Sequence, residues 1–188
     1  YDYNGYIIKS EYPMDAQSLD KAGEKLRKIY ELYLKDQDVK TYFAIVPDKN
    51  AWAFEAEGQN VINYSELYAR MQAETEDFAS YIEFDDLLDM ESYYKTDAHW
   101  RQEKIYPVAQ WIAEAMGCEL TAEYDKVVAN DSFIGAYGRQ SNLAMEPEEL
   151  IYLTNEALDG CIVTDYASAD ERYVTTGVYT IASAASED

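Results

Sequence analysis

Lys40-Thr41-Tyr42-Phe43-Ala44-Ile45-Val46 is followed at once by Pro47-Asp48-Lys49-Asn50. The first seven residues are β-branched or aromatic almost throughout, with no polar break after Thr41. Such a run suits a strand covered on both faces, as in the middle of a parallel sheet. Pro47 ends it. Ligands of open α/β sheets gather beyond the carboxyl ends of strands, so Asp48, Lys49 and Asn50 stand where a site would form. The same residue types also dominate ordinary polar turns, and the sequence leaves both readings open.

On the N-terminal side, residues 1–13 read as a short strand or edge segment with a turn at Gly5. A helix is predicted from Gln17 to Lys35. Leu19, Ala22, Leu26, Ile29, Leu32 and Tyr33 recur at helical spacing and form its inward face, and Ser18 or Asp15 is placed to cap it. Lys21, Glu24, Lys25, Lys28 and Glu31 make the solvated face. On the C-terminal side, residues 51–63 are loop-like. A helix follows from about Ser65 to Glu76, then a second core strand, Tyr81 to Phe84. Asp85, Asp86 and Asp89 come next, without the glycine that a calcium loop requires.

A further helix is predicted from Arg101 to Met116, with Ile105, Val108, Ala109, Ile112 and Ala115 facing inward. Pro107 implies a kink or a late start, and Gly117 suits the end. Strand, helix, strand, helix, strand, helix is the order of an α/β domain with a mostly parallel sheet. The last third differs. Runs at 124–129, 149–153, 161–165 and 178–182 are short and β-like, and turn residues separate them. The expectation is an α/β core over residues 1–120 and a short-strand and loop region over 121–188 of the same domain, with the final residues frayed.

A chain of 188 residues with 48% hydrophobic and 14% aromatic content can bury a core as one domain. Its formal charge is −22, from 37 acidic and 15 basic residues. That field repels nucleic acid and anionic lipid and suits cations, neutral glycans or basic proteins. No run of 18 apolar residues is long enough to span a membrane. Cys118 and Cys161 lack metal-ligand spacing and make either one disulfide or two buried thiols. No cofactor motif stands out, and the oligomeric state is not legible.

Tyr93-Tyr94-Lys95-Thr96-Asp97-Ala98-His99-Trp100 holds the single histidine of the chain. Histidine is the side chain whose charge changes near neutral pH, hence the usual proton shuttle. If the segment is extended, Asp97 and His99 project to one side. The aspartate can then accept the imidazole N–H, fix the tautomer and stabilise the imidazolium, which is the acid's part in a Ser-His-Asp triad. A lone histidine beside a tryptophan is also often just packed or capping.

The octapeptide resembles the signature of the bacterial DHHW family, named for a Thr-Asp-His-His-Trp stretch, with Ala98 at the place of the first histidine. The Pro-Asp-Lys-Asn after the strand is similar as well. That family looks like a relative of the SGNH-hydrolase-like proteins that O-acetylate alginate and other exopolysaccharides. The resemblance covers roughly residues 1 to 140. It implies a three-layer, flavodoxin-like α/β fold. It also implies a role outside the cytoplasm of a bacterium, on a polysaccharide or a small acyl ester. Asp97 would orient His99 as general base, and Lys95, Tyr94, Trp100, Asp48 and Lys49 would shape the substrate groove.

The nucleophile is harder to place. Asn130-Asp131-Ser132-Phe133 resembles the Gly-Asp-Ser-Phe block of SGNH hydrolases with Asn130 for the glycine. However, no clear helix follows it to supply the N–H groups of an oxyanion hole. Phe133-Ile134-Gly135-Ala136-Tyr137 instead matches a Phe-x-Gly-x-Tyr pattern that in the family precedes the nucleophile. Three readings stand: the chain is an incomplete domain whose serine lies elsewhere, the fold has lost its nucleophile and binds glycan or protein through its many tyrosines, or Ser132 is the nucleophile.

Overall fold

The computed structural model describes residues 1–53, 60–166 and 172–179. It divides into two compact units. The first comprises Tyr1–Leu120 with Ile134–Glu146, and the second comprises Thr121–Phe133 with the described residues from Pro147 onward.

The first unit opens with an antiparallel hairpin, β1 (Asp2–Tyr3) and β2 (Tyr6–Ile7), in register Asp2↔Ile7 and Tyr3↔Tyr6. Asn4 and Gly5 both have positive φ, 53° and 84°. Asn-Gly adopts that pair of angles with least strain, and its twist matches the strands it joins. The first helix, α1 (Ala16–Ile29), starts at Asp15, whose carboxylate accepts the N–H groups of Gln17 and Ser18. It runs on into a π-helical turn, Tyr30–Leu34.

α1 lies against α2 (Tyr64–Thr75), which Asn63 caps. Gly23 is buried in that contact, and a Cβ there would come within 2.8 Å of Glu74 Cγ. Arg27 grips both oxygens of Asp77 at 2.6 and 3.0 Å, Arg70 holds Asp20 at 2.6 Å, and Tyr30 stacks on Phe78 at 4.8 Å. The face of α1 that meets α2 is therefore set by a glycine and charged clasps. Ile29, Leu32 and Tyr33, expected inward, are 50%, 61% and 68% exposed. The predicted solvated residues Lys21 to Glu31 are exposed as expected.

β3 (Tyr42–Phe43) and β4 (Ser80–Tyr81) pair in parallel, with α2 in the connection between them. The crossover that the sequence order implied is thus present. The sheet is smaller than expected: the described residues form four two-stranded sheets, of which only this one is parallel. Val46, expected inside a central strand, is 49% exposed.

The core gathers Ile82, Phe84, Leu88 and Val108, with Tyr42, Trp52, Trp100, Ile105 and Ile112 packed around it. Val108 belongs to α3 (Tyr106–Ala115). The helix starts late and has Pro107 in its first turn, where the missing N–H leaves no bond unmade. Ala109 and Ala115, expected inward, are exposed. Gly117 follows with φ of 76°.

The short helix α4 (Ala136–Gln140) also belongs to the first unit. The second unit pairs β5 (Asp125–Phe133) with β6 (Glu148–Thr154) across two register irregularities. After α5 (Glu156–Asp159), β7 (Ile162–Tyr166) pairs with β8 (Arg172–Thr176). The strand expected at 178–182 begins at two residues outside any strand, and its remainder, like the end expected to fray, lies outside the described residues. Cys118 and Cys161 are free and exposed, so neither is the buried thiol or the disulfide partner considered from the sequence.

Candidate active site

The octapeptide is a closed loop, not an extended segment. Tyr93 and Trp100 form an antiparallel bridge, the Tyr94 N–H donates to the His99 carbonyl at 3.1 Å, and Arg101 N–H donates to Ser92 at 2.7 Å. Tyr93 anchors one side. It is 2% exposed, its ring meets Trp52 at 5.4 Å, and its hydroxyl donates to the Pro47 carbonyl at 2.5 Å. Burial pushes that hydroxyl's pKa up.

Asp97 and His99 meet because the chain bends between them. Asp97 Oδ1 accepts the His99 main-chain N–H at 3.1 Å, a local side-chain-to-backbone turn. The same oxygen lies 2.5 Å from His99 Nδ1. A carboxylate only accepts, so Nδ1 is the donor in this contact, and a neutral imidazole held this way has its lone pair on Nε2. The His99 side chain is 83% exposed and that of Asp97 is 11% exposed. The carboxylate is thus sheltered and the imidazole presented to solvent. Burial pulls the Asp97 pKa upward, but hydrogen bonds from the Ala136 N–H and from His99 outweigh it and hold the carboxyl below its ordinary value.

A second segment grips the loop. The Ala136 N–H donates to Asp97 Oδ2 at 2.8 Å, Gly135 N–H to Thr96 Oγ1 at 2.9 Å, and Gly138 N–H to the Thr96 carbonyl at 2.9 Å. A Cβ on Gly135 would lie 2.5 Å from Asp97 Oδ2, and one on Gly138 would lie 2.9 Å from Thr96 Cβ. The Phe-x-Gly-x-Tyr pattern therefore has a physical content: its glycine lets the backbone approach the aspartate. Sequence reasoning noted the pattern and did not assign Gly135, Ala136 or Gly138 to the site.

The remaining candidates are placed as follows. Asp48 Oδ1 accepts from the Asn50 N–H at 2.7 Å and the Tyr64 hydroxyl at 2.6 Å. Burial first, then the bond to Asp48, raises the Tyr64 pKa. Lys49 is 3% exposed, and its ammonium donates to the carbonyls of Ile7, Tyr94 and Lys95 at 2.7, 3.0 and 3.2 Å. Tyr94 is 4% exposed, Lys95 is exposed and Trp100 is half-buried. A cavity of about 30 Å³ borders Ala98, Tyr137, Ile8, Asp48, Lys49 and Asn50. Ser132 belongs to the second unit, on exposed β5, where its hydroxyl donates to Asp131 Oδ1 at 3.0 Å.

Among the described residues no three His, Cys, Asp or Glu side chains are grouped to hold a metal ion. Asp89 is used in a reciprocal cap with Ser92. Burial raises the Asp85 pKa; Tyr68 lowers it in part, and the neighbouring Glu83 and Asp86 add smaller raising effects. No described helix is long and apolar enough to cross a membrane.

No family model and no curated protein sequence matches the chain. Solved structures similar in fold include two of one protein. One is Bacillus cereus PatB1, with 19% identity, TM-score 0.67 and 93% of this chain covered. The other is PatB1 with a sulfonyl adduct, with 19% identity, TM-score 0.67 and 92% covered. The chain spans 66% and 60% of the length of the PatB1 chains in those two structures, less than two thirds in each case. At that identity the likeness is one of architecture: this chain is mixed α/β and shares the PatB1 fold over most of its length.

Proposed function

We propose that this chain carries the acid–base half of an SGNH-like acyl-ester site that transfers or hydrolyses an O-acetyl group on a cell-envelope polysaccharide, outside the cytoplasm. The observation that carries the reading is the Asp97–His99 pair: Nδ1 on a sheltered carboxylate at 2.5 Å, and an imidazole otherwise open to solvent. The fold likeness to PatB1, solved also with a sulfonyl adduct, supports it. So does the DHHW-like octapeptide, whose family expectation is a three-layer, mostly parallel sheet around the single parallel pair described above.

In this reading the pair serves acyl transfer through a serine. A serine hydroxyl attacks the acyl carbon while His99 Nε2 takes its proton, and Asp97 stabilises the resulting imidazolium. Collapse of the tetrahedral adduct expels the donor alkoxide, which His99 protonates. A sugar hydroxyl or water then repeats the attack on the acyl-serine. Lys95, Trp100, Tyr94, Asp48 and Lys49 would shape the substrate groove; of these, Asp48 and Lys49 line the small cavity beside Ala98. The serine is Ser132 or lies elsewhere in the polypeptide.

A second reading is favoured by one observation. Ser132 is the penultimate residue of irregular β5 with its hydroxyl on Asp131, and the helix that does follow it, α4, is short and begins only at Ala136. In that reading the domain binds envelope glycan or protein and performs no chemistry. Hydrolysis of a small acetyl ester, and its loss in His99→Ala, tests the first reading. Activity unchanged in His99→Ala sinks it. Labelling by a serine-directed phosphonate, mapped by mass, identifies the nucleophile. Glycan binding with neither hydrolysis nor labelling favours the second reading.

A further inference from the structure

We propose that Lys49 is a positioning residue for the Asp97–His99 pair, its ammonium fixing the root of the loop that carries them. The inference rests on the catalytic reading of that pair for its functional meaning, and on geometry alone for the positioning.

A buried ammonium is destabilising by several kcal/mol unless its protons are matched by acceptors. Lys49 has three donors and meets three main-chain carbonyls. They come from two separate segments. Ile7 belongs to the N-terminal hairpin. Tyr94 and Lys95 form the entry to the loop, and Lys95 is two residues before Asp97. The Lys95 carbonyl also accepts the Ile7 N–H at 2.8 Å. The rings of Tyr6 and Tyr137 face the ammonium at 5.9 and 5.5 Å, a favourable placement for a cation over aromatic faces. Thus the hairpin, the turn after β3 and the loop entry converge on one charge. The Gly135–Gly138 segment holds the loop at Thr96 and Asp97, and Lys49 holds it from the other end.

This assignment differs from a substrate contact. The three donors are already spent on main chain, so substitution should change the orientation of the pair more than the affinity for a solute. Methionine at this position keeps the bulk and leaves three carbonyls without the charge. Arginine keeps the charge, but its planar fork does not reproduce three converging donors.

The test uses the single histidine as a reporter. In protein labelled with ¹⁵N-histidine, the wild type should show a downfield Nδ1–H resonance, as expected for a short bond to a carboxylate. Lys49→Met should shift or lose that resonance while the amide signals of α1 and α2 stay in place, and Lys49→Arg should recover it in part. An unchanged resonance in a folded variant overturns the proposal. If neither variant folds, the wild type decides: the Lys49 ammonium protons should exchange slowly and couple across hydrogen bonds to the Tyr94 and Lys95 carbonyls, and their absence overturns it. On an acetyl ester, Lys49→Met should lower kcat about tenfold or more with KM nearly unchanged, the pattern of a misplaced catalytic group. A wild type without esterase activity would remove the catalytic reading and leave the resonance test standing.

Discussion

Gly135 stands so close to Asp97 that the absent side chain of the one makes room for the carboxylate of the other. A Cβ at residue 135 would fall 2.5 Å from Asp97 Oδ2 and 2.7 Å from the Thr96 carbonyl. Backbone lies on one side and a sheltered acid on the other, so the clash has no cheap relief. Gly135→Ala should destabilise the protein by about 1–3 kcal/mol, the usual range for overpacking. It should also detach the Ala136 N–H from Asp97. A denaturant midpoint equal to the wild type would contradict this.

The acid–base pair makes a sharper demand. Asp97→Asn preserves size but removes the charge that stabilises the imidazolium and fixes its tautomer. Acetyl-ester turnover should fall by about 10⁴, the scale known for this substitution in a triad. His99→Ala should fall at least as far. Turnover within tenfold of the wild type in Asp97→Asn would exclude the aspartate from the reaction.

Acid sensitivity should follow from the depressed Asp97 pKa. A carboxyl that releases its proton more readily in the folded state contributes stability above its unfolded pKa, near 3.9. That contribution fades as pH falls through the folded value. Asp97→Asn should therefore be less stable than the wild type at pH 6, and the gap should narrow toward pH 3. Urea titrations at the two pH values measure it. A gap that does not close would place the loss elsewhere than in the charge.

Tyr93→Phe removes a buried hydroxyl that satisfies the Pro47 carbonyl. The expected loss is about 1–2 kcal/mol, from a carbonyl left unpaired in the interior. Because this bond joins the segment after β3 to the loop, the Asp97–His99 resonance should shift with it. Thermal unfolding and the histidine spectrum check the two parts.

What the sequence made legible had a local cause. Asp15 capping α1, Pro107 delaying α3 and the parallel crossover through α2 were all readable, because capping, proline geometry and strand–helix order act within a few residues. Asn4-Gly5 carried a hairpin signal stronger than the single edge segment read there. The inward face of α1 failed at Ile29, Leu32 and Tyr33, since spacing reports which residues share a stripe and not what covers it. Gly23, a glycine amid that pattern, marked the true contact.

At the site, the Asp97–His99 partnership was legible, but through the wrong geometry. An extended segment was assumed, whereas a bend within three residues joins them. The grip of Gly135, Ala136 and Gly138 was out of reach, being nearly 40 positions away with no spacing rule to connect it.

That bend has a consequence for how the site is assembled. Most constellations of acid and base draw members from remote parts of a chain, and each member adds the entropy of closing a long loop. Here the two are neighbours in a turn that closes on itself. The pair can form as soon as the turn does, and an insertion elsewhere in the chain does not come between its members. A carboxylate–imidazole pair encoded within three consecutive residues is portable. It can be carried by a domain of varied surroundings, and under the proposed function only the nucleophile has to be brought to it.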